Sequence, residues 1–261
     1  MSDRLSTNPT DLDSSEELLK GAKEFGFFLS EEQISKFLIH NSMIAVKNHR
    51  MNLTRVTSWK DAQVLHVWDS LSVFSVIKNI VLKNNGILDL GTGAGFPGIP
   101  LAIMLPEVHF TLLDSRRKKV DFLKSVICKL DLNNVELVVG RAEELAHQKS
   151  LRGAFDLVTS RAVAPLRTLI ELSAPFLKAN GILVAQKSEK IREELVVADN
   201  AIQTFGLNIE SLHFFQKFKI MPPGRAILMM KNIKLSPDEF PRRPGIPSKK
   251  PLWILRIRDE L

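Results

Sequence analysis

The feature that most constrains the fold is a glycine-rich turn that follows a short apolar segment. The segment runs from Gly86 to Leu90, and the turn has the sequence Gly-Thr-Gly-Ala-Gly-Phe-Pro-Gly over residues 91–98. Glycines permit a sharp bend and let a ligand approach the backbone closely. The pattern predicts a β-strand, a tight turn and then a helix whose first N–H groups remain free.

Further apolar segments alternate with helical patterns along the chain. The predicted strands are Gly86–Leu90, His109–Leu113, Val135–Val139, Phe155–Ser160 and Ile182–Gln186, then a hairpin of Glu210–Ile220 and Arg225–Lys231. The predicted helices between them are Ile99–Met104, Arg117–Leu130, Glu143–Lys149 and Pro165–Ala179. Strands that alternate with helices indicate βαβ units with right-handed crossovers. The fold class is therefore α/β, with a doubly wound, mainly parallel seven-stranded sheet of the Rossmann-like type.

The chain divides into three predicted regions. Residues 1–85 form an N-terminal helical cap, 86–235 the α/β core, and 236–261 a proline-rich basic tail packed on the core. Capping boxes at Ser14 and Ser30 begin two helices of the cap, and a third helix is expected from Trp59 to about Ile80. We expect the prolines to keep the tail extended, with the charges of its arginines and lysines outward.

Composition favours a polyanionic partner. The 261 residues include 36 Lys and Arg against 29 Asp and Glu, a net charge of +7, and basic proteins gain affinity for phosphate backbones by releasing counterions. There is no N-terminal apolar signal and no run of 18 apolar residues, so we expect a cytoplasmic protein without a membrane span. Cys128 is the single cysteine, which excludes an intramolecular disulfide, and no metal site is expected.

The residues that follow each predicted strand are the candidates for ligand binding, because ligands bind beyond the carboxyl ends of the strands in open α/β sheets. Asp114 lies 23 residues after Gly91, and its carboxylate can accept hydrogen bonds from both hydroxyls of a ribose. Ala142 and Glu143 follow the third strand and suit an adenine. Arg161 ends the fourth strand, where a substrate would approach.

Two types of cofactor fit the glycine turn. Gly93-x-Gly95-x-x-Gly98 matches the dinucleotide fingerprint, with Asp114 about 20 residues on. Asp89-x-Gly91-x-Gly93-x-Gly95 instead fits S-adenosylmethionine. The dinucleotide hypothesis requires a strand that continues through Gly91 and Thr92, which is poor strand sequence, so the second is favoured.

Several motifs together resemble the family of ribosomal RNA small subunit methyltransferase G, also called glucose-inhibited division protein B. They are Asn52-Leu53-Thr54, His66–Leu71, Leu88–Pro100, Leu113-Asp114-Ser115, Arg141-Ala142-Glu143, Ser160-Arg161-Ala162 and Pro241–Leu252. The resemblance extends from residue 35 to 252. The sequence differs from the family pattern at two places. Arg116-Arg117 stands where Leu or Asn is expected, and Gln186-Lys187-Ser188 stands where the family often has Lys-Gly.

The resemblance implies an S-adenosylmethionine-dependent enzyme that methylates N7 of one guanosine in bacterial 16S rRNA. Its partner would be 16S rRNA or the small ribosomal subunit, and we expect a monomer. The implied cofactor-binding residues are Gly91, Gly93, Phe96, Asp114, Ser115, Arg116, Ala142, Glu143 and Arg161, the last of which could instead contact substrate. No catalytic residue is expected, because N7 carries a lone pair and no proton, so the task is one of positioning.

The sequence leaves some alternatives open. A methyltransferase of the same fold could act on a small molecule or a protein, although the basic tail disfavours this. A non-catalytic RNA-binding module could have kept the fold, although the intact glycine turn and Asp114 disfavour that. His66 and Asp69 lie one helical turn apart, and we expect them to form a buried pair with each other.

Overall fold

The computed structural model describes residues 11–51, 53–54, 62–82 and 85–252. Its strands are β1 (Gly86–Leu90), β2 (His109–Asp114), β3 (Val135–Val139), β4 (Phe155–Arg161), β5 (Leu177–Ser188), β6 (Leu207–Phe214) and β7 (Arg225–Asn232). They form one seven-stranded sheet in the order β3-β2-β1-β4-β5-β7-β6. The first five strands are parallel, whereas β7 is antiparallel to both β5 and β6. The predicted doubly wound, mainly parallel sheet is therefore confirmed.

Helices precede the sheet and connect its strands. The α-helices are α1 (Asp11–Phe25), α2 (Glu31–Met51), α3 (Asp69–Ile77), α4 (Gly98–Met104), α5 (Arg117–Leu130), α6 (Ala142–Leu145), α7 (Leu166–Ser173), α8 (Ile191–Phe205) and α9 (Ile246–Lys249). The capping box predicted at Ser30 is present, because the Ser30 N–H and the Gln33 N–H each donate to the other residue's side chain at 3.0 and 3.1 Å. Within the described ranges, no helix has the length and apolar character needed to cross a membrane.

Several predicted boundaries are wrong, including that of the strand expected over Glu210–Ile220, which is Leu207–Phe214. The helix expected over Pro165–Ala179 ends at Ser173 and gives way to a 3₁₀ turn, Ala174–Phe176, because Pro175 has no N–H to continue an α-helix. Strand β5 then begins at Leu177 instead of Ile182, since Leu177 pairs with Phe155 ahead of a β-bulge. The helix expected over Glu143–Lys149 is shorter, at Ala142–Leu145.

The helix predicted from Trp59 to about Ile80 is only partly α-helical in the structure. Its expected start lies outside the described residues, and the described portion is a π-helical segment, Gln63–Trp68, that leads directly into α3. The wider π-turn is typical of functional sites. Here it places His66 and Asp69 beside the carboxyl ends of the strands, where the candidate site lies.

The sheet separates two apolar cores. On one face, side chains of α1, α2, α3, α4 and α5 pack together, with Phe37 and Trp68 among the fully buried residues. On the other face, α7 and α8 cover the sheet through residues such as Leu169 and Phe205. The helical cap thus shares its core with the sheet. The division of the chain at residues 85 and 235 stays a prediction.

The expectation of an extended tail with outward charges is wrong for its first part. Residues 236–250 form turns and the short helix α9. Arg242 points inward, because the fully buried carboxylate of Glu171 accepts hydrogen bonds from its N–H, Nε and Nη2 at 2.9, 2.8 and 2.6 Å. Buried carboxylates require such a partner. Arg152 also donates to the carbonyls of Ser236, Pro237 and Phe240.

Candidate functional site

The glycine turn forms the floor of the site. Strand β1 ends at Leu90, and the N–H groups of Gly91 and Thr92 donate to the carbonyl of Leu113 at 2.8 and 3.0 Å, which fixes the turn to the end of β2. The buried carboxylate of Asp89 accepts the Gly98 N–H at 2.8 Å. Since the strand stops before Gly91, the longer strand that the dinucleotide hypothesis requires is not present.

Glycines with positive φ angles make this turn possible. Gly91 and Gly93 have φ angles of +71° and +63°, which disfavour residues with a side chain. A Cβ atom on Gly91 would also lie 2.5 Å from Cγ2 of Val163. At Gly93, by contrast, the nearest atom to such a Cβ is the Lys119 Nζ at 3.6 Å. The space beside the Gly93 Cα, where another residue would carry its side chain, is therefore open to a ligand.

Asp114 connects the glycine turn to the loop after β2. Its Oδ2 accepts the Gly93 N–H at 3.0 Å and its Oδ1 accepts the Arg116 N–H at 2.9 Å. The Lys119 ammonium lies 3.7 Å from Oδ2. The side chains of Ser115 and Arg116 are exposed beside this carboxylate. Asp114 thus shapes the place where the ribose of a nucleoside cofactor was predicted to bind.

Ala142 and Glu143 begin helix α6, directly after β3 and its following turn. Glu143 is buried, and its Oε1 accepts the N–H of Gly245 from the tail at 3.0 Å. The tail therefore reaches the position where an adenine contact was predicted. The side chain of Ala142 is also buried, so its backbone is the part that a ligand could contact.

Arg161 ends β4 and is held by three neighbours. Its Nη1 donates to the Leu65 carbonyl at 2.9 Å and to Asp69 Oδ2 at 3.2 Å. Its guanidinium carbon lies 4.9 Å above the centre of the Phe96 ring, an arrangement that stabilises a cation. Burial lowers the pKa of Arg161, and the Asp69 carboxylate opposes that shift.

Phe96 lies below Arg161, between two histidines. Its ring centre is 4.8 Å from the imidazole of His40 and 4.6 Å from that of His66, and only 3% of the residue is exposed. The ring is thus part of the packed floor, and its role in cofactor binding stays a prediction. The expected pairing of His66 with Asp69 is wrong, because His66 Nε2 lies 3.0 Å from the Thr54 hydroxyl and Asp69 pairs with arginines.

The two imidazoles are neutral near pH 7. Burial and the charge of Arg161 lower the pKa of His40 to about 4, and the same two causes lower the pKa of His66 to about 3. Asp89 shows the opposite direction: burial raises the pKa of its carboxyl to about 6, although the Thr92 hydroxyl and the Gly98 N–H act against that shift. None of these groups is poised to exchange a proton near pH 8.

A cleft of about 560 Å³ opens at the carboxyl ends of β4 and β5. It is lined by Asp69, Arg161–Pro165, Gln186–Ser188, Lys190, Glu193, Glu194 and Arg225. The loop from Arg161 to Pro165 forms one wall, and Lys187 fixes it by donating to the Ala164 carbonyl at 2.8 Å and to Glu194 at 2.7 Å. Because Val163 in this loop also covers Gly91, the cleft adjoins the glycine turn.

The structure therefore brings most of the predicted site residues to one edge of the sheet. Asp114 contacts Gly93 directly, Gly91 belongs to the same turn, and Arg161 lies over Phe96 of that turn. Sequence analysis did not find Arg225, which begins β7 opposite Ser188 at the end of β5. The Pro-Pro-Gly turn before Arg225 is the sequence feature that could have identified it. A hairpin turn at that point places the start of β7 beside the carboxyl end of β5.

Buried polar groups without a partner lie at the same edge. Among the residues that the structure describes, the hydroxyls of Thr159 and Ser160 at the end of β4 have no hydrogen-bond partner. Unpaired buried groups are uncommon and need an explanation such as a bound ligand or water. Because the protein itself encloses both hydroxyls, the open backbone at Gly93 is the feature that fits a nucleoside cofactor along the ends of β1 and β2.

Comparison with known proteins places the chain among related sequences. Residues 33–221 match the family model described as rRNA small subunit methyltransferase G. The chain is similar to the protein named ribosomal RNA small subunit methyltransferase G from Alkaliphilus metalliredigens, at 39% identity over 90% of this chain and 97% of that protein. The protein of the same name from Bacillus subtilis is 39% identical over 91% of this chain and 98% of its own length.

A solved structure supports the fold. The branched-chain polyamine synthase from Thermus thermophilus superposes with a TM-score of 0.51, at 14% sequence identity, over 64% of this chain and 56% of that one. At this identity the similarity concerns the arrangement of strands and helices alone.

Proposed function

The chain belongs to the rRNA small subunit methyltransferase G family, and on this premise we propose that it transfers a methyl group from S-adenosylmethionine to N7 of a guanosine in 16S rRNA. The observation that carries the proposal is the adjacency of the glycine turn and the cleft. Val163 covers Gly91 on one side and lines the cleft on the other. A cofactor on the turn and a base in the cleft would therefore meet at this loop.

The residues present fit the cofactor. The open backbone at Gly93 and the carboxylate of Asp114 suit a ribose, and Ala142 and Glu143 suit an adenine. When bound, S-adenosylmethionine supplies an electrophilic methyl group on a sulfonium centre. We include Ser115, Arg116 and Phe96 in this proposed site because they adjoin Asp114 and the turn in the chain.

The mechanism that we propose is one of alignment. Guanine N7 has a lone pair and no proton, so the protein has only to hold N7 and the methyl carbon in line at a reacting distance of roughly 3–3.5 Å. The loop from Arg161 to Pro165, which forms one wall of the cleft, would orient the base. The neutral imidazoles of His40 and His66 add no positive charge beside a ring that becomes cationic on methylation.

This mechanism predicts a chemical step that does not depend on pH between about 7 and about 9, because no general base is required. Over that range His40 and His66, with pKa values of about 4 and 3, stay neutral, and Asp89, with a pKa of about 6, stays mostly ionised. Single-turnover methyl transfer measured at constant ionic strength would show this. A rate that rises tenfold per pH unit across the range would contradict the mechanism.

The proposed substrate predicts a role for the exposed cations of the tail. Arg243, Lys249 and Lys250 are exposed, whereas Arg242 is neutralised by Glu171. Replacing the three exposed cations with alanine should weaken RNA binding and reduce the log–log salt dependence by about 0.7–0.9 for each phosphate that the tail no longer neutralises. Binding of S-adenosylmethionine should not change. Both quantities can be measured by fluorescence titration and calorimetry.

A matched control for the tail variant removes the same charge elsewhere. Lys20, Lys23 and Lys178 are exposed on α1 and at the amino end of β5, so the K20A/K23A/K178A variant has the same net charge. We expect its salt dependence to stay close to that of the parent protein. If the tail variant and this control change the salt dependence equally, the tail does not bind phosphate.

The cofactor itself provides the first test of the proposal. Calorimetric titration of the protein with S-adenosylmethionine and, in parallel, with NAD should show binding of the first only. Methyl transfer from labelled cofactor to small-subunit RNA should then separate an enzyme from a non-catalytic RNA-binding module. Transfer to a small molecule or protein, with none to RNA, would contradict the proposed substrate.

A further inference from the structure

Asp69 occupies an unusual electrostatic position beside the cleft. It begins α3, only 4% of the residue is exposed, and its carboxylate contacts two guanidinium groups from different strands. Oδ2 lies 3.2 Å from Nη1 of Arg161, and Oδ1 lies 3.3 Å from Nε of Arg225. One carboxylate therefore serves as the counter-ion of two cations, at the point where the ends of β4 and β7 adjoin the helical cap.

The backbone of Asp69 is fixed as firmly as its side chain. Its carbonyl accepts the Gln186 Nε2 at 2.7 Å and the Ser72 hydroxyl at 2.6 Å. Gln186 belongs to β5, where it pairs with Arg161 of β4 and with Ile227 of β7. Asp69 therefore contacts residues of β4, β5 and β7, the three strands that border the cleft. These contacts fix the position of its carboxylate and hence of the arginines that pair with it.

The two arginines differ in what remains available to a ligand. Arg161 is occupied by Leu65, Asp69 and the ring of Phe96, and 18% of its side chain is exposed. Arg225 lines the cleft with 35% of its side chain exposed. Among the described residues, its buried Nε has no hydrogen-bond partner, so its contact with Asp69 is an ion pair and not a hydrogen bond. The charge of Asp69 therefore attracts Arg225 on the buried Nε side of the guanidinium, while the exposed third of the side chain faces the cleft.

We propose that Asp69 is a positioning residue, which holds Arg225 at the wall of the cleft so that its terminal nitrogens bind a phosphate of the RNA next to the target nucleotide. This inference rests on the proposed function. A guanidinium binds a phosphate through two parallel hydrogen bonds, so its orientation matters as much as its charge. The same carboxylate compensates Arg161, so the base that becomes cationic on methylation does not face a bare positive charge.

The substitution Asp69→Asn tests this role, because it removes the charge and keeps the size of the side chain. With RNA from small subunits that lack the modification as substrate, we expect KM for RNA to rise about tenfold, with kcat affected less. The dissociation constant of S-adenosylmethionine should stay within about twofold, since Asp69 is not part of the proposed cofactor site. Thermal unfolding of each variant reports whether it is folded.

A double-mutant cycle separates positioning from a general disturbance of packing. Arg225→Met should reproduce the increase in KM, and the D69N/R225M variant should be no worse than D69N alone, because R225M removes only the contact with Arg225 that D69N has already weakened. Lys178→Met is the control, since Lys178 also pairs with a carboxylate, that of Asp156, but at the far end of β4. It should leave KM unchanged.

The outcomes are distinct. Effects of D69N and R225M that multiply in the double variant, or a D69N effect on cofactor affinity alone, would overturn the positioning role. If D69N does not fold, an unchanged KM for R225M overturns the inference by itself. If the parent protein transfers no methyl group to RNA, the proposed function fails, whereas methylation by the parent with unaltered KM in both variants overturns only the role of Asp69.

Discussion

Replacing Glu171 with alanine is expected to lower the free energy of unfolding by about 3 kcal/mol. Glu171 is fully buried and accepts three hydrogen bonds from Arg242. Removing one member of a buried pair costs about 3–5 kcal/mol. The lower end applies because the Arg242 side chain is 28% exposed and regains some hydration. For a chain of this size the melting temperature should fall by roughly 6–12 °C.

Urea denaturation of the parent and variant measures this decrease. Glu136→Ala is a suitable control, because Glu136 is an exposed glutamate on β3, and it should change stability by no more than about 0.5 kcal/mol. A similar small change for Glu171→Ala would mean that the tail is not held by this carboxylate. Such a result would also mean that the tail, and with it Gly245 beside Glu143, is not held firmly at the proposed cofactor site.

Replacing Asp114 with alanine is expected to weaken binding of S-adenosylmethionine by about 10- to 100-fold, or roughly 1.5–3 kcal/mol. The ribose hydroxyls would lose a charged acceptor. The Gly93 and Arg116 N–H groups would also lose the carboxylate that now orients them, so the turn would be less well ordered before binding. Calorimetric titration gives the dissociation constant directly.

Asp121→Ala is the matched control for this measurement. Asp121 lies on α5, a short distance along the chain from Asp114, and is exposed. Its replacement should leave the affinity for the cofactor unchanged. An unchanged dissociation constant for Asp114→Ala, in a variant that unfolds at the parent's temperature, would mean that Asp114 only supports the turn and does not contact the cofactor.

Much of the fold could be predicted from local sequence. The apolar segments that became β1 to β4 are short and regularly spaced, and each is followed by a glycine or a charged residue. Both the strands and the edge that carries Asp114 and Arg161 therefore follow from the pattern. The start of β5 could not be predicted, because Leu177 joins the strand only through its pairing with Phe155. The π-helical segment before α3 gave no periodic signal of its own.

The contacts of individual side chains were less predictable, because they depend on residues that are distant in the sequence. The sequence predicts an outward charge for Arg242, whereas its side chain pairs with Glu171, which lies 71 residues away. Asp69 was expected to pair with His66 three residues before it, whereas it pairs with Arg161 and Arg225. Sequence patterns specify which residues reach the edge of the sheet, and packing decides which of them meet.

The most direct test of the central proposal is mass-spectrometric mapping of modified nucleosides in 16S rRNA from cells with and without the protein. We expect one guanosine to carry a methyl group at N7 in parent cells, to lack it in cells without the protein, and to regain it when the parent chain is restored. The Asp114→Ala chain should restore it poorly. Identical 16S rRNA modification in the two cell types would contradict the proposed function.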